Sequence, residues 1–254
     1  MNFINTFIIF TCLISWACCQ EHIDIEQVPR ILEHKQEVWL RCSSWRIAAE
    51  ANNLSPWKTV PEECVEYVKE YMLSKRYEID LETVSKEALE FAKSFELNGD
   101  GMDAWIFDID ETLLSNLPYY AQHGYGSEIF DSNQFDIWVL EGMALTIEPS
   151  LKLYEEVSKL GFKILLLTGR TESKRSITVN NLMKAGFENW DRLILRGAED
   201  HGKTAEAFKS EKRKEIMEEG FRIIGNSGDQ WSDLLDSAVS LRSFKLSNPM
   251  YFIS

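Results

Sequence analysis

The sequence is short of positive charge. Its 27 lysines and arginines stand against 41 aspartates and glutamates, which gives the 254 residues a net charge of −14. Nucleic acids and anionic membrane surfaces carry charge of the same sign, so neither is expected as a partner. A small anionic substrate would therefore need a local cation at its binding site.

Histidine is also scarce, with four residues in the chain. No two of them have the spacing of a metal-binding pair, so a zinc or dinuclear iron centre finds no support. His123 lies in the predicted cap, residues 115–147, where it would either contact a substrate or lie on the surface, and His201 falls in the loop sequence EDHGK. No internal repeat and no low-complexity tract is present.

Long hydrophobic runs are limited to the N-terminus. Residues 1–19 contain no charged side chain, and their apolar run suits a signal peptide while being short for a membrane-spanning helix. We interpret residues 1–19 as a secretory signal peptide that is cleaved after Cys19; an uncleaved anchor is the alternative. The first interpretation predicts a secreted or vacuolar protein that has no membrane segment after cleavage.

Cysteine becomes rarer still if that segment is removed. Of the five cysteines, Cys42 and Cys64 alone would remain in the mature chain. Two thiols in an exported protein suggest one disulfide, whereas two reduced buried cysteines are the alternative for a protein that is not exported. Asn53 begins the N-x-S sequon that we find, and Pro56 directly after it disfavours glycosylation there.

The apolar pattern divides the mature chain in two. Residues 20–100 are predicted to form an N-terminal helical segment, because apolar residues recur at helical spacing from Cys42 to about residue 97. That stretch holds no phosphate loop and no nucleophile, so it is expected to pack against the main domain. From residue 101 to 254, short apolar runs alternate with amphipathic helices, which predicts an α/β fold with a Rossmann-like parallel sheet.

A long insertion interrupts this alternation after the first strand. Residues 115–147 are too many for an ordinary connection between a strand and a helix, and they are expected to form a cap over the site. Their aromatic residues would either line a pocket for the leaving group or simply pack within the cap. These residues are Tyr119, Tyr120, Tyr125, Phe130, Phe135 and Trp138.

Acidic residues follow the strands of the predicted sheet. The first strand ends in Asp108 and Asp110, another is followed by Thr168, and a later strand precedes Asp229 and Asp233. Since reactive groups gather beyond the carboxyl ends of parallel strands, these oxygens should lie together. Such a cluster suits a hard divalent cation, and we predict Mg²⁺, which would also attract a phosphate group.

This set of residues matches the needs of phosphomonoester hydrolysis. Asp108 could attack phosphorus and form an aspartyl phosphate. Asp110, two residues on, could protonate the leaving oxygen and then deprotonate the attacking water. Thr168 and a lysine would hold the phosphoryl oxygens.

The order of the motifs resembles the haloacid dehalogenase superfamily of phosphatases: DIDET, LLLTGR, a lysine in AFKSEKR, and GNSGDQWSD. More narrowly, the chain resembles plant acid phosphatases and vegetative storage proteins of the class B type. The segments CSSWRIAAEANN, VPEEC, LSNLPYYAQHGYG and FKLSNPMYFI carry that resemblance, which runs from about Cys42 to the C-terminus.

The resemblance implies a HAD-like core and specific residue roles. It implies Thr168, Gly169 and Lys209 as phosphate ligands, and it implies Asp229 as a magnesium ligand with Asp233 acting through water. The main-chain carbonyl of Asp110 and the carboxylate of Asp108 would complete the protein's share of the metal shell. Some storage members lack the nucleophilic aspartate, and this sequence keeps it.

Some assignments stay open. The phosphate-binding lysine could be any of four, because Lys203, Lys212 and Lys214 lie near Lys209 in the sequence. Most of the charged residues there suit the solvent-exposed face of a helix. Arg170 would touch phosphate or pair with an acid. We expect a magnesium-dependent acid phosphatase for small phosphomonoesters, with a storage protein as the alternative and a homodimer as a possible assembly.

Overall fold

A computed structural model describes residues 27–254, with side chains from residue 33 onward. The predicted signal peptide therefore lies outside the described residues. The chain divides into two units between Glu37 and Val38, and every strand of the described chain belongs to the second unit. Among the described helices, none is both long enough and apolar enough to cross a membrane.

The second unit is built on a parallel sheet. Within the described residues the sheet has five strands in the order β5-β4-β1-β6-β7, and a separate antiparallel ribbon joins β2 to β3. The strands are β1 Asp103–Phe107, β2 Leu114–Ser115, β3 Leu145–Thr146, β4 Lys163–Thr171, β5 Arg192–Arg196, β6 Arg222–Gly228 and β7 Arg242–Lys245.

Helices connect and flank these strands. In chain order they are α1 Gln27–Glu50, α2 Val65–Leu73, α3 Lys75–Ser94, α4 Leu117–Gln122, α5 Ser132–Glu141, α6 Glu148–Leu160, α7 Arg175–Lys184, α8 Ala205–Glu218 and α9 Trp231–Leu234. Short 3-10 turns occur at Glu62–Cys64, Gly124–Gly126, Glu172–Lys174 and Ala198–Asp200. The predicted α/β class with a parallel sheet is confirmed.

Strand β1 is central because both of its faces are apolar. Trp105 and Phe107 pack into a core with α3, α6 and α7, whereas Ala104 and Ile106 pack on the other face with Phe208 of α8. Successive side chains of a strand point to opposite faces, so a continuous apolar run is what a strand covered on both sides requires. This arrangement sets Asp108 at the carboxyl end of the middle strand.

The helical region before the sheet is broken at Ser74. The hydroxyl of Ser74 accepts a hydrogen bond from the main-chain nitrogen of Arg76 at 3.2 Å, which caps α3 and separates it from α2. A disulfide joins Cys42 of α1 to Cys64, whose Cα atoms are 5.2 Å apart. The structure therefore shows a disulfide between these two cysteines and not two reduced thiols.

The insertion after β1 starts and ends at the β2–β3 ribbon, where Leu114 pairs with Thr146 and Ser115 pairs with Leu145. Helices α4 and α5 lie between these two strands. The predicted bounds of 115–147 thus fall next to the ribbon, and the division of the chain at residue 100 stays a prediction. The sequence pattern did not predict strand β7, because Phe244 is the one buried residue among the four residues of this strand and they form no apolar run.

Candidate active site

Three buried carboxylates converge at the carboxyl edge of the sheet. Asp108 directly follows β1, and Asp229 follows β6, the neighbour that pairs with β1. The main-chain nitrogen of Asp108 donates to the carbonyl of Ser227 at 2.9 Å, which holds the two strand ends together. One carboxylate oxygen from each of Asp108, Asp229 and Asp233 lies within 4.8 Å of the others.

Lys209 supplies a cation to this cluster. Its ammonium, on the buried face of α8, lies 2.5 Å from Oδ1 of Asp108 and also contacts Oδ1 of Asp233. Burial opposes its charge, but the two carboxylates outweigh burial and raise the pKa of Lys209. The three other candidate lysines pair with acidic residues away from the cluster: Lys203 with Asp200 and Glu211, Lys212 with Glu215, and Lys214 with Glu218.

Asp110 is held by an arginine, whereas Asp108 and Asp233 contact Lys209. Nη2 of Arg170 lies 2.7 Å from Oδ1 of Asp110, and Nε lies 3.0 Å from Oδ2. Asn116 donates to Oδ1 at 2.9 Å and accepts from the indole of Trp138 in α5. Burial alone would raise the pKa of Asp110, but the Arg170 charge and these hydrogen bonds lower it. Asp110 therefore rests as a carboxylate with a fixed orientation.

Asp229 is held by neutral donors. Its Oδ2 accepts from Asn248 and from Gln230, each at 2.7 Å, and Thr112 contacts Oδ1 at 3.5 Å. No lysine or arginine of the described chain forms an ion pair with it. Burial, and then the nearby Asp233, raise the pKa of Asp229 to about 6, although the two amides act in the opposite direction.

The charges at this edge do not balance. Within the described chain, two cations contact the carboxyl groups of the four aspartates: Lys209 and Arg170 contact the group formed by Asp108, Asp110, Asp229 and Asp233. Burial raises the pKa of Asp108 well above its ordinary value, Lys209 opposes that rise, and the other carboxylates add to it. An excess of buried carboxylate oxygen fits a divalent cation, which would favour the charged forms of these acids.

Glu111, the third acid of the DIDET motif, has a structural role: it links neighbouring segments of the chain. It is fully buried, and its carboxyl group accepts hydrogen bonds from Tyr77 of α3, Ser115 and the main-chain nitrogen of Asn116. Burial, and then the nearby Asp229, raise the pKa of Glu111 to about 8, although the three hydrogen bonds act in the opposite direction. This buried carboxyl group links the helical segment to the loop that carries Asp110.

The two residues predicted at the end of β4 differ in their positions. Gly169 lines the cavity, and open space surrounds the point where a Cβ would lie. Thr168 is fully buried and is not among the residues that line the cavity. Its hydroxyl accepts a hydrogen bond from the main-chain nitrogen of Arg170 at 3.1 Å.

A cavity of about 370 Å³ opens over the acids. Its apolar side comes from the insertion, through Tyr120, Phe130 and Phe135, and from Tyr251 near the C-terminus. The rings of Tyr120 and Tyr251 stack with their centroids 4.9 Å apart. Of the other predicted aromatics, Tyr125 and Trp138 are not on its lining, and Tyr119 lines a second cavity.

His123 also belongs to the second cavity, where its Nδ1 lies 2.9 Å from a carboxylate oxygen of Glu128. His201 is exposed. Neither histidine lines the cavity over the acids.

Sequence reasoning missed several residues of the site. Asn116, Gln230, Ser232, Asn248 and Tyr251 lie among the acids or line the cavity above them. Gln230 and Ser232 lie inside the motif GDQWSD, where proximity to Asp229 was their signal. Asn248 and Tyr251 lie about twenty residues further along the chain, in the segment FKLSNPMYFI, which carries the family resemblance without pointing to the site.

Comparison with known proteins places this geometry in a family. Residues 30–254 match the model of the HAD superfamily, subfamily IIIB (Acid phosphatase). The chain belongs to that family. Acid phosphatase 1 of Solanum lycopersicum is 58% identical to this chain over 250 residues. The alignment covers 96% of this chain and 98% of the tomato protein.

Other relatives agree with the predicted resemblance. Vegetative storage protein 2 of Arabidopsis thaliana is 38% identical to this subfamily IIIB chain over 217 residues. The alignment covers 85% of this chain and 81% of the storage protein. The class C acid phosphatase from Bacillus anthracis has a similar fold, with a TM-score of 0.62 at 18% identity over 74% of this chain and 84% of its own. The predicted membership of the acid phosphatase and storage protein family is confirmed.

Proposed function

We propose that this chain is an acid phosphatase that hydrolyses small phosphomonoesters through an aspartyl phosphate on Asp108, with Mg²⁺ as its metal. The observation that carries the proposal is the convergence of Asp108, Asp229 and Asp233 within 4.8 Å of one another, with Lys209 in contact, at the carboxyl edge of the sheet. Membership of subfamily IIIB supports the same reaction.

In the first step, a carboxylate oxygen of Asp108 attacks phosphorus. A bond forms between that oxygen and phosphorus, the bond from phosphorus to the leaving oxygen breaks, and the leaving oxygen takes a proton from Asp110. Asp108 lies at the end of a rigid, buried strand, which holds the nucleophile in place. Lys209 offsets the negative charge of the phosphoryl group.

In the second step, water attacks phosphorus and gives a proton to Asp110, and the bond to Asp108 breaks to release inorganic phosphate. Although burial opposes it, Arg170 lowers the pKa of Asp110 and so favours the ionised carboxylate that accepts this proton. In the first step Asp110 must carry a proton. An anionic phosphoryl group nearby raises the pKa of a carboxyl group, and acidic solution increases the fraction of that group that is protonated, which is consistent with an acidic optimum.

The residues suited to hold the metal are the carboxylates of Asp108 and Asp229 and the main-chain carbonyl of Asp110, with Asp233 acting through water. Oxygen ligands of this kind favour Mg²⁺ over zinc or copper. When bound, Mg²⁺ supplies positive charge that offsets the phosphoryl oxygens and the approaching carboxylate. Thr168, Gly169 and Lys209 remain the proposed phosphate ligands, although Thr168, unlike the other two, does not line the cavity.

The size of the cavity supports small substrates, because about 370 Å³ accommodates a compact leaving group beside the phosphoryl group. The disulfide supports passage through the secretory pathway, to the vacuole or the extracellular space. A storage role is the second candidate, supported by the similarity to Vegetative storage protein 2. Abundance in storage tissue and depletion under nitrogen demand would support that role, and an intact catalytic site is compatible with it.

The test is hydrolysis of an aryl phosphate across pH, with Mg²⁺ and then with a chelator, by the wild type and by Asp108→Asn. We expect turnover to depend on the metal and to fall by at least about 10³-fold in Asp108→Asn, whose circular dichroism should match that of the wild type. Acid-quenched intact mass should show a phosphoryl adduct in the wild type and none in the variant.

Asp191→Asn is the matched control. Asp191 pairs with Lys163 at the opposite edge of the sheet, so this variant should keep wild-type turnover. Unchanged turnover in Asp108→Asn would contradict the proposed mechanism, whereas a wild type without turnover would shift the weight to storage.

A further inference from the structure

One hydroxyl at the edge of the acid cluster has no hydrogen-bond partner. Ser232 of α9 is 3% exposed, and its Oγ is one of two buried side-chain atoms in the described chain that lack a partner. The other, Oδ1 of Asn52, is not on the cavity lining. Ser232 does line that cavity, together with Asp108, Lys209 and Asp229.

Both chain neighbours of Ser232 are engaged in hydrogen bonds. The indole of Trp231 donates to the carbonyl of Glu50 at 2.8 Å, and Asp233 accepts from Lys209 and from the main-chain nitrogen of Gln230. A serine in a helix often donates to the carbonyl four residues before it. Here that carbonyl belongs to Gly228, and it already accepts from the main-chain nitrogen of Leu246 at 2.9 Å.

A buried hydroxyl without a partner destabilises a protein, so a polar group that enters the cavity would restore its hydrogen bond. Under the proposed function, the group that enters carries three phosphoryl oxygens, each of which accepts hydrogen bonds. Of the proposed phosphate ligands, Lys209 already uses two of its N–H groups on Asp108 and Asp233, and Thr168 does not line the cavity.

We propose that Ser232 is a substrate-binding residue whose hydroxyl donates to an oxygen of the phosphoryl group. The inference rests on the proposed function. A neutral donor at this place adds a hydrogen bond without adding charge to a site that already holds Lys209 and Arg170. Because the contact is made to the phosphoryl group, it is independent of the leaving group.

The test compares wild type with Ser232→Ala, using inorganic phosphate as the probe. We expect inhibition by inorganic phosphate to weaken by about ten-fold, which is the effect of losing one hydrogen bond. The value of kcat/KM should fall by the same factor for an aryl and an alkyl phosphate. The thermal midpoint without phosphate should stay the same or rise, because the hydroxyl that is removed has no partner in the protein.

Ser240→Ala is the matched control. Ser240 is buried, but its hydroxyl bonds to that of Ser243 at 2.9 Å, and it does not line the cavity. This variant should bind inorganic phosphate like the wild type and should lose thermal stability. The contrast separates a binding role from the general effect of removing a buried hydroxyl.

Two results would overturn the role of Ser232. One is wild-type inhibition by inorganic phosphate in Ser232→Ala. The other is a weaker thermal shift with MgCl₂ alone in that variant, since the hydroxyl would then serve the metal. Failure of the proposed function gives a different result. If the wild type binds inorganic phosphate but does not hydrolyse a phosphate ester, the proposed function fails and the comparison with Ser232→Ala can still be made. If the wild type binds no inorganic phosphate, both the proposed function and the role of Ser232 are overturned.

Discussion

Asn248 holds the carboxylate of Asp229. The side-chain amide nitrogen of Asn248 lies 2.7 Å from Oδ2 of Asp229, and both residues are buried. Through this bond a segment beyond the last strand of the sheet orients a proposed metal ligand. Outer residues of this kind commonly change metal affinity by ten-fold or more when they are removed.

We therefore predict that Asn248→Ala weakens Mg²⁺ binding by about ten-fold, because Asp229 would lose a donor that fixes its orientation. The measurement is the thermal shift of the protein against MgCl₂ concentration, without substrate. Ser247→Ala is the control, since the hydroxyl of Ser247 bonds to Tyr71 and Glu50 and does not contact Asp229. Equal Mg²⁺ dependence in Asn248→Ala and the wild type would contradict the prediction.

The disulfide should act on stability and leave catalysis alone. We predict that the double variant Cys42→Ser/Cys64→Ser unfolds with a free energy lower by about 2–4 kcal/mol, because the closed loop no longer restricts the unfolded chain. Neither residue lines the cavity, so KM for an aryl phosphate should not change. Urea unfolding measures the change in stability, and steady-state kinetics measure KM. A changed KM would show that the disulfide affects the shape of the site.

Asp103 should contribute stability that depends on pH. Its carboxylate lies 2.6 Å from Nε of Arg222 and 2.7 Å from the main-chain nitrogen of Asn98. Burial would raise the pKa of Asp103, but these partners outweigh it and lower the pKa. The contribution is thus present above the unfolded pKa of about 3.9 and is lost as the pH falls through the lower folded value.

We predict that Asp103→Asn lowers the free energy of unfolding by about 1–3 kcal/mol at pH 7 and that the difference shrinks below about pH 4. Denaturant unfolding at a series of pH values measures it. Asp100→Asn is the control, because the exposed Asp100 pairs with the same Arg222 and should matter less. A difference that stays constant down to pH 2 would rule out the titration of Asp103 as its origin.

The sequence by itself determined the fold class and the order of the reactive residues. Continuous apolar runs such as AWIF predict strands that are buried on both faces, and amphipathic stretches between them predict the covering helices. Once the sheet is parallel, residues that follow neighbouring strands must meet at one edge. That rule was sufficient to bring Asp108 and Asp229 together.

Only the tertiary structure decided which side chains complete the site. Lys209 is 101 residues from Asp108 in the chain and was one of four lysines, and its burial on one face of α8 distinguishes it. Asn248 and Tyr251 reach the site because the segment after β7 returns to it, and Ser232 stands out because its buried hydroxyl has no hydrogen-bond partner. Such contacts depend on packing between distant segments, and local periodicity carries no information about them.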